Sequence, residues 1–174
     1  MNNKFTTKDL VLTGILLGLG LIIPMVFHLF GGTGPIFLPM HISVLIGGFL
    51  LPPYFALVLG IATPLLSSVV TGMPPIFPIG IIMMAELGSY GLITSLISKK
   101  FETLVIPSLV TAQVVGRIVA GITVFILSTF FGVKMNPIIF VKGSIITGIP
   151  GILIQLILIP TLIYTIKITK KVKA

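Results

Sequence analysis

The chain contains no cysteine, which rules out disulfides, thiol nucleophiles and cysteine-ligated metals. Charge is scarce as well: 8% of residues are charged, and only Asp9, Glu86 and Glu102 are acidic. A soluble domain carries about 25% charged residues, so the composition is that of a membrane protein. With 174 residues no length is left for a separate soluble domain. Catalytic patterns are missing too: there is no HExxH, no Ser/His/Asp set and no pair of carboxylates on one membrane face. Gly88-Ser89 runs on into Tyr90-Gly91, which is not G-x-S-x-G. Gly143 to Gly148 has the glycine spacing of a phosphate-binding loop, but Ile149 and Pro150 stand where Lys and Ser/Thr are required. The chain therefore reads as a non-enzyme that calls for no cofactor. A net charge of +8 would suggest nucleic acid for a soluble protein. Here most lysines flank apolar runs, so membrane lipid is the expected partner and nucleic acid is not.

What is present is apolar sequence, 56% of the residues, arranged in runs. Crossing the hydrocarbon core takes about 20 residues as a helix. Six spans are expected, at 8–28, 39–51, 52–71, 79–98, 104–128 and 141–166, with Thr6 or Thr7 capping the first and Pro52-Pro53 opening the third. No cleavable signal peptide is expected, because the first run is long enough to span and no small-residue cleavage site follows it. The fold class is an all-α integral membrane protein of six transmembrane helices, one domain over 1–174. Lys4, Lys8, Lys99, Lys100, Lys167, Lys170, Lys171 and Lys173 fall on one side of it, against Lys134 and Lys142 on the other. The excess of basic residues on the cytoplasmic side places both termini there.

The 31–48 stretch organises this layout. Gly31-Gly-Thr-Gly-Pro-Ile-Phe-Leu-Pro-Met40 reads as an apolar, Gly- and Pro-rich loop running into a helix. Irregular backbone at a membrane is tolerated only where protein or a water-filled cavity satisfies it. The loop therefore closes over a cavity. A second such loop, Gly72-Met-Pro-Pro-Ile-Phe-Pro78, falls on the same outer face, so one mouth is expected beneath both.

Two ionisable residues lie inside spans, Glu86 and Arg117, and buried charges at such depth pair or line a polar cavity. Glu86 is 12 residues from Ser98 and Arg117 is 13 from Leu104, so both lie about 18–20 Å from the cytoplasmic ends of antiparallel neighbours. Tyr90 and Gln113 each stand four residues from one of them, on the same helix face. A register-fixing ion pair and a ligand contact both fit. Phe37, His41, Met73 and Asn136 join Glu86, Tyr90, Gln113 and Arg117 as candidate ligand residues around the mouth. His28 and His41 bracket the first outer loop with no carboxylate or cysteine near them in the sequence, so no metal site is expected. Met83 and Met84 suit an apolar pocket wall, and Gln155 an interhelical hydrogen bond. Gly14-xxx-Gly18 in the first span lets another helix approach closely. Pro64 and the Gly148, Pro150, Gly151 group are expected to bend their helices.

These features together resemble a known family. The Gly14-xxx-Gly18 helix, Leu38-Pro-Met-His-Ile-Ser-Val-Leu-Ile-Gly-Gly-Phe-Leu-Leu51, Thr63-Pro-Leu-Leu-Ser-Ser68, Thr71-Gly-Met-Pro-Pro75, Met84-Ala-Glu-Leu-Gly-Ser-Tyr-Gly91 and Gly116-Arg-Ile-Val-Ala-Gly121 are similar to the substrate-binding S components of energy-coupling factor (ECF) vitamin transporters. The resemblance spans essentially the whole chain. It implies a six-helix bundle in a prokaryotic cell membrane that binds a water-soluble vitamin near the outer face. It also implies partners, a transmembrane coupling (T) protein and two cytoplasmic ATPases, and a toppling motion when the S component docks. The family's first helix usually carries Ala-xxx-Ala for that docking, a role that falls here to Gly14 and Gly18. Arg117 would suit a carboxylate such as that of pantothenate; flavins, cobalamin and other vitamins stay open. A membrane scaffold that binds no ligand is the rival reading. A channel or proton-coupled carrier would want more intramembrane charge and internal repeats.

The topology is open to direct test. Cysteines placed at Thr33 and Met73 should react with an impermeant thiol reagent in intact cells, and one at Lys99 should not. Labelling at Lys99 alone would reverse the orientation.

Overall fold

The computed structural model describes residues 6–29, 31, 33–101 and 104–172. Lys4 and Lys173, counted in the charge bias above, lie outside the described residues, as do the side chains of His28, Lys170 and Lys171. The regular structure of the described residues is all helical: α1 (Thr7–Leu29), α2 (Gly34–Phe37), α3 (Pro39–Leu50), α4 (Pro53–Thr71), α5 (Ile81–Lys100), α6 (Val105–Phe130) and α7 (Pro137–Val172). A single helical turn, Ile76–Gly80, leads into α5 and contains one extended residue, Phe77.

Helix ends follow local chemistry. Thr6 caps α1: its Oγ1 accepts from the Asp9 amide at 3.2 Å and donates to Asp9 Oδ2 at 2.6 Å, and the carboxylate favours the positive end of the helix dipole. Gly72, at φ 73°, closes α4 with its amide on the Ser68 carbonyl, a left-handed position that costs glycine little. Lys99 and Lys100 sit in the last turn of α5, where cations are favoured.

Among the described residues, five helical segments are long and apolar enough to cross a membrane: Thr7–Phe27, Pro53–Thr71, Ile76–Lys100, Val105–Phe130 and Pro137–Thr169. The sixth expected span is shorter, Gly34–Leu50, and is broken in two at Leu38. The first outer loop is thus not wholly irregular, since Gly34–Phe37 forms a turn of helix. The last span begins at Pro137 rather than 141 and runs to Val172, because Pro137 suits a first helical turn and Asn136 caps it. The α5 span likewise gains its lead-in turn from Ile76. Pro64 and Pro150, expected to mark bends, sit inside unbroken helices.

In the bundle, α5 packs against α3, α4 and α6; α1 lies on α3 and α4; α7 covers α6 and the α2 turn. The contacts depend on small residues. A Cβ on Gly60 would collide with the Leu87 carbonyl, and one on Gly91 with that of Ala56, so α4 and α5 approach at backbone distance. Gly116 makes room on α6 for the Tyr90 ring. The larger core, including Leu45, Leu51, Leu59, Leu87, Leu109 and Ile159, fills the end where α6 begins. A smaller cluster of Ile82, Ala120, Val124 and Leu127 lies toward the other end. Val114, Ile118, Ile122 and Phe125 leave an exposed apolar stripe on α6, as a lipid-facing helix requires.

Gly91→Ala should lower stability by about 1–3 kcal/mol through overpacking, measured by thermal unfolding in detergent. Gly14→Ala, whose Cβ would meet nothing within 4 Å, should leave the melting temperature unchanged. Equal melting temperatures for both variants would mean that α4 and α5 separate freely.

Candidate functional site

Beneath the 72–75 loop lies a cavity of about 580 Å³. Its wall is assembled from almost every element. Pro24 comes from α1, and Gly34, Pro35, Leu38, Pro39, Met40 and His41 from the broken α2–α3 unit. Met73, Pro74, Pro75 and Ile79 form the second lid, Met83 and Glu86 come from α5, and Arg117 from α6. Helix α7 adds Ile139, Phe140, Gly143, Ser144 and Thr147.

The charged residues form one cluster. Arg117 Nη1 lies 2.7 Å from Glu86 Oε1, a charge-assisted contact. The Tyr90 hydroxyl donates to the same oxygen at 3.0 Å. His41 Nε2 stands 3.8 Å from it, an electrostatic contact too long for a hydrogen bond, and its ring meets Tyr90 edge to face at 5.5 Å. All four side chains are buried. The depth argument from the two spans therefore pairs the right residues. Glu86 does not use all of Arg117: Nε and Nη2 have no hydrogen-bond partner, and neither does either ring nitrogen of His41.

The hinge above this cluster is strained. Leu38 has φ 49° and ψ 47°, a left-handed conformation that costs a non-glycine residue about 1–2 kcal/mol. Its side chain is buried and packs at Gly148, and its carbonyl accepts from Gln155 Nε2 at 3.4 Å. A Cβ on Gly151 would collide with the Phe37 carbonyl at 2.6 Å. Gly148 and Gly151, expected to mark a bend, therefore let the α2 turn settle on α7.

Of the candidate residues, His41, Met73, Glu86 and Arg117 line the cavity. Tyr90 does not line it and supports Glu86 from behind. Gln113 faces the α6–α7 seam, where its Nε2 donates to Gln155 Oε1 at 2.9 Å. There it borders a lateral groove of about 380 Å³ shared with Arg117. Phe37 packs on Phe27 with centroids 5.4 Å apart. Asn136 is exposed; its Oδ1 accepts from the Ile138 and Ile139 amides at 3.0 and 3.1 Å, which caps α7. Gly14 and Gly18 face open space on α1. Met83 lines the cavity and Met84 does not; the side chain of His28 lies outside the described residues. The sequence reading missed Pro24, Met40 and the α7 wall. Phe140, Gly143, Ser144 and Thr147 do recur at helical spacing, a mixed small and hydroxyl face that marks the wall once α7 is started at Pro137.

A family model described as "ECF transporter, substrate-specific component" matches residues 8–163. No curated protein and no solved structure matches the chain.

The Glu86–Arg117 pair can be tested as a unit. Arg117→Met or Glu86→Gln alone strands a buried charge and should cost about 3–5 kcal/mol, while the double variant should cost far less. Additive losses in thermal unfolding would show that the two side chains act independently.

Proposed function

Because the chain belongs to the family of ECF transporter substrate-specific components, we propose that it is a single-domain subunit that captures a water-soluble vitamin in this cavity. It is a multi-pass membrane protein and a transporter subunit rather than an enzyme. The observation that carries the reading is the cavity itself, with buried and unpartnered Arg117 and His41 nitrogens at its charged end. In this reading the mouth opens outward, both termini are cytoplasmic, and the membrane is the plasma membrane of a prokaryote. The lysine distribution supports that orientation. A T protein and two cytoplasmic ATPases drive uptake. Gly14 and Gly18 dock on the T protein, a role supported by the open space in front of both. Pantothenate is the first vitamin to test, because a carboxylate suits Arg117. Phe37, Tyr90, Gln113 and Asn136 contribute indirectly, by placing the lid, the ion pair and α7. The scaffold reading accounts equally well for the open α1 face but gives the cavity no role.

Protein extracted gently from its own membranes should release a stoichiometric small molecule, identified by mass spectrometry. An empty protein that co-purifies with membrane subunits would favour the scaffold. Gly14→Leu or Gly18→Leu should abolish uptake while leaving binding intact, since a bulky side chain blocks helix approach. Loss of binding as well would mean that the motif serves the internal fold. The Arg117→Met, Glu86→Gln double variant should lose roughly one to two decades of affinity, the worth of a charge-assisted hydrogen bond.

A further inference from the structure

The cavity is polar at one end only. Five of its lining residues are prolines, Pro24, Pro35, Pro39, Pro74 and Pro75, and proline offers no N–H donor. Met40, Met73 and Met83 add flexible apolar surface. Among the described residues, Phe140 is the only lining aromatic apart from His41, so these walls offer a flat ring system few stacking partners. The Ser144 hydroxyl is already donated to the Val141 carbonyl at 2.9 Å. Beside the exposed Thr147 hydroxyl, the buried donors without partners in this wall belong to Arg117, 8% exposed, and His41, 3% exposed.

Buried donors without partners are costly, and these select a group that only accepts. A carboxylate does so, and it matches two nitrogens of a guanidinium at once. Glu86 engages only Nη1 of Arg117, at 2.7 Å, and both ring nitrogens of His41 stand unpartnered beside that pair, so an incoming carboxylate is shared between the guanidinium and the ring N–H of His41. Among the described residues, the titratable groups facing it are Glu86 and Tyr90 from α5 and Arg117 from α6. Among the described side chains, no titratable residue of α1, α4 or α7 lines the cavity; that of His28 on α1 lies outside them. At the mouth end the described charges are Lys134 and Lys142, both cationic, which raises the local concentration of an anion.

We propose that the cavity takes an aliphatic monocarboxylate, whose carboxylate docks on the unpartnered nitrogens of Arg117 and on the ring N–H of His41 while its hydrocarbon body lies along the proline and methionine walls. This rests on the cavity being the capture site.

The test uses the purified full chain in lipid nanodiscs and equilibrium dialysis. The probes are pantothenate against pantothenol, lipoate against lipoamide, and riboflavin as a flat uncharged comparator. At least one acid should bind about tenfold or more tightly than its uncharged counterpart, the worth of one charge-assisted hydrogen bond. His41→Phe, which removes the ring N–H donor, should lower that acid's affinity about tenfold while leaving the counterpart's unchanged; if that variant does not fold, the wild-type preference for acid over counterpart carries the test alone. An acid that binds no better than its counterpart overturns the inference, and so does a folded His41→Phe variant that keeps the acid's full affinity. Binding of riboflavin but of neither acid also overturns it, yet leaves vitamin capture standing. Failure of every probe, together with an empty protein by mass spectrometry, overturns both.

Discussion

The structure depends on one buried ion pair. Glu86 and Arg117 meet at 2.7 Å in the middle of two apolar helices, where neither charge would be tolerated alone. The pair fixes the register of α5 against α6. Tyr90 shows how tightly: its hydroxyl reaches Glu86, and its ring fills the space that Gly116 leaves open on α6. The same pair forms the charged end of the cavity, and the contact that aligns the two helices leaves two guanidinium nitrogens without a partner there.

A second constraint acts on the lid. The α2–α3 unit is too short to cross as a continuous helix and is broken at Leu38. That break is held by contacts from α7, the bond from Gln155 and the space beside Gly148 and Gly151. Gln155 in turn accepts from Gln113 on α6. The strained hinge is thereby connected to the helix that carries Arg117, one turn from Gln113. Mouth, hinge and ion pair form one mechanical unit in which small residues permit close approach and a few buried polar bonds set the alignment.

Much of this was legible in the chain itself. The apolar runs located the spans to within a few residues, because in hydrocarbon every backbone group must be satisfied within a helix. The depth of two lone charges paired Glu86 with Arg117, because a charge in a membrane needs a partner. Gln155 read correctly as an interhelical bond. The α7 wall was missed, because starting that helix at 141 removed its first turn and with it the periodicity of Phe140, Gly143, Ser144 and Thr147. Asn136 read as a mouth residue because a capping side chain and a ligand contact look alike before the helix start is known.

By itself, the sequence determined the membrane class, the helix count to within the broken α2–α3 unit, and the two charges that must meet. Those properties follow from the hydrocarbon solvent, which acts on each segment separately. Only the tertiary structure decided which side chains share the cavity, that Gln113 turns toward α7 while His41 turns inward, and that Arg117 keeps unpartnered nitrogens beside Glu86. Those outcomes depend on helix rotation and on glycine contacts between segments far apart in the chain, which no local pattern encodes.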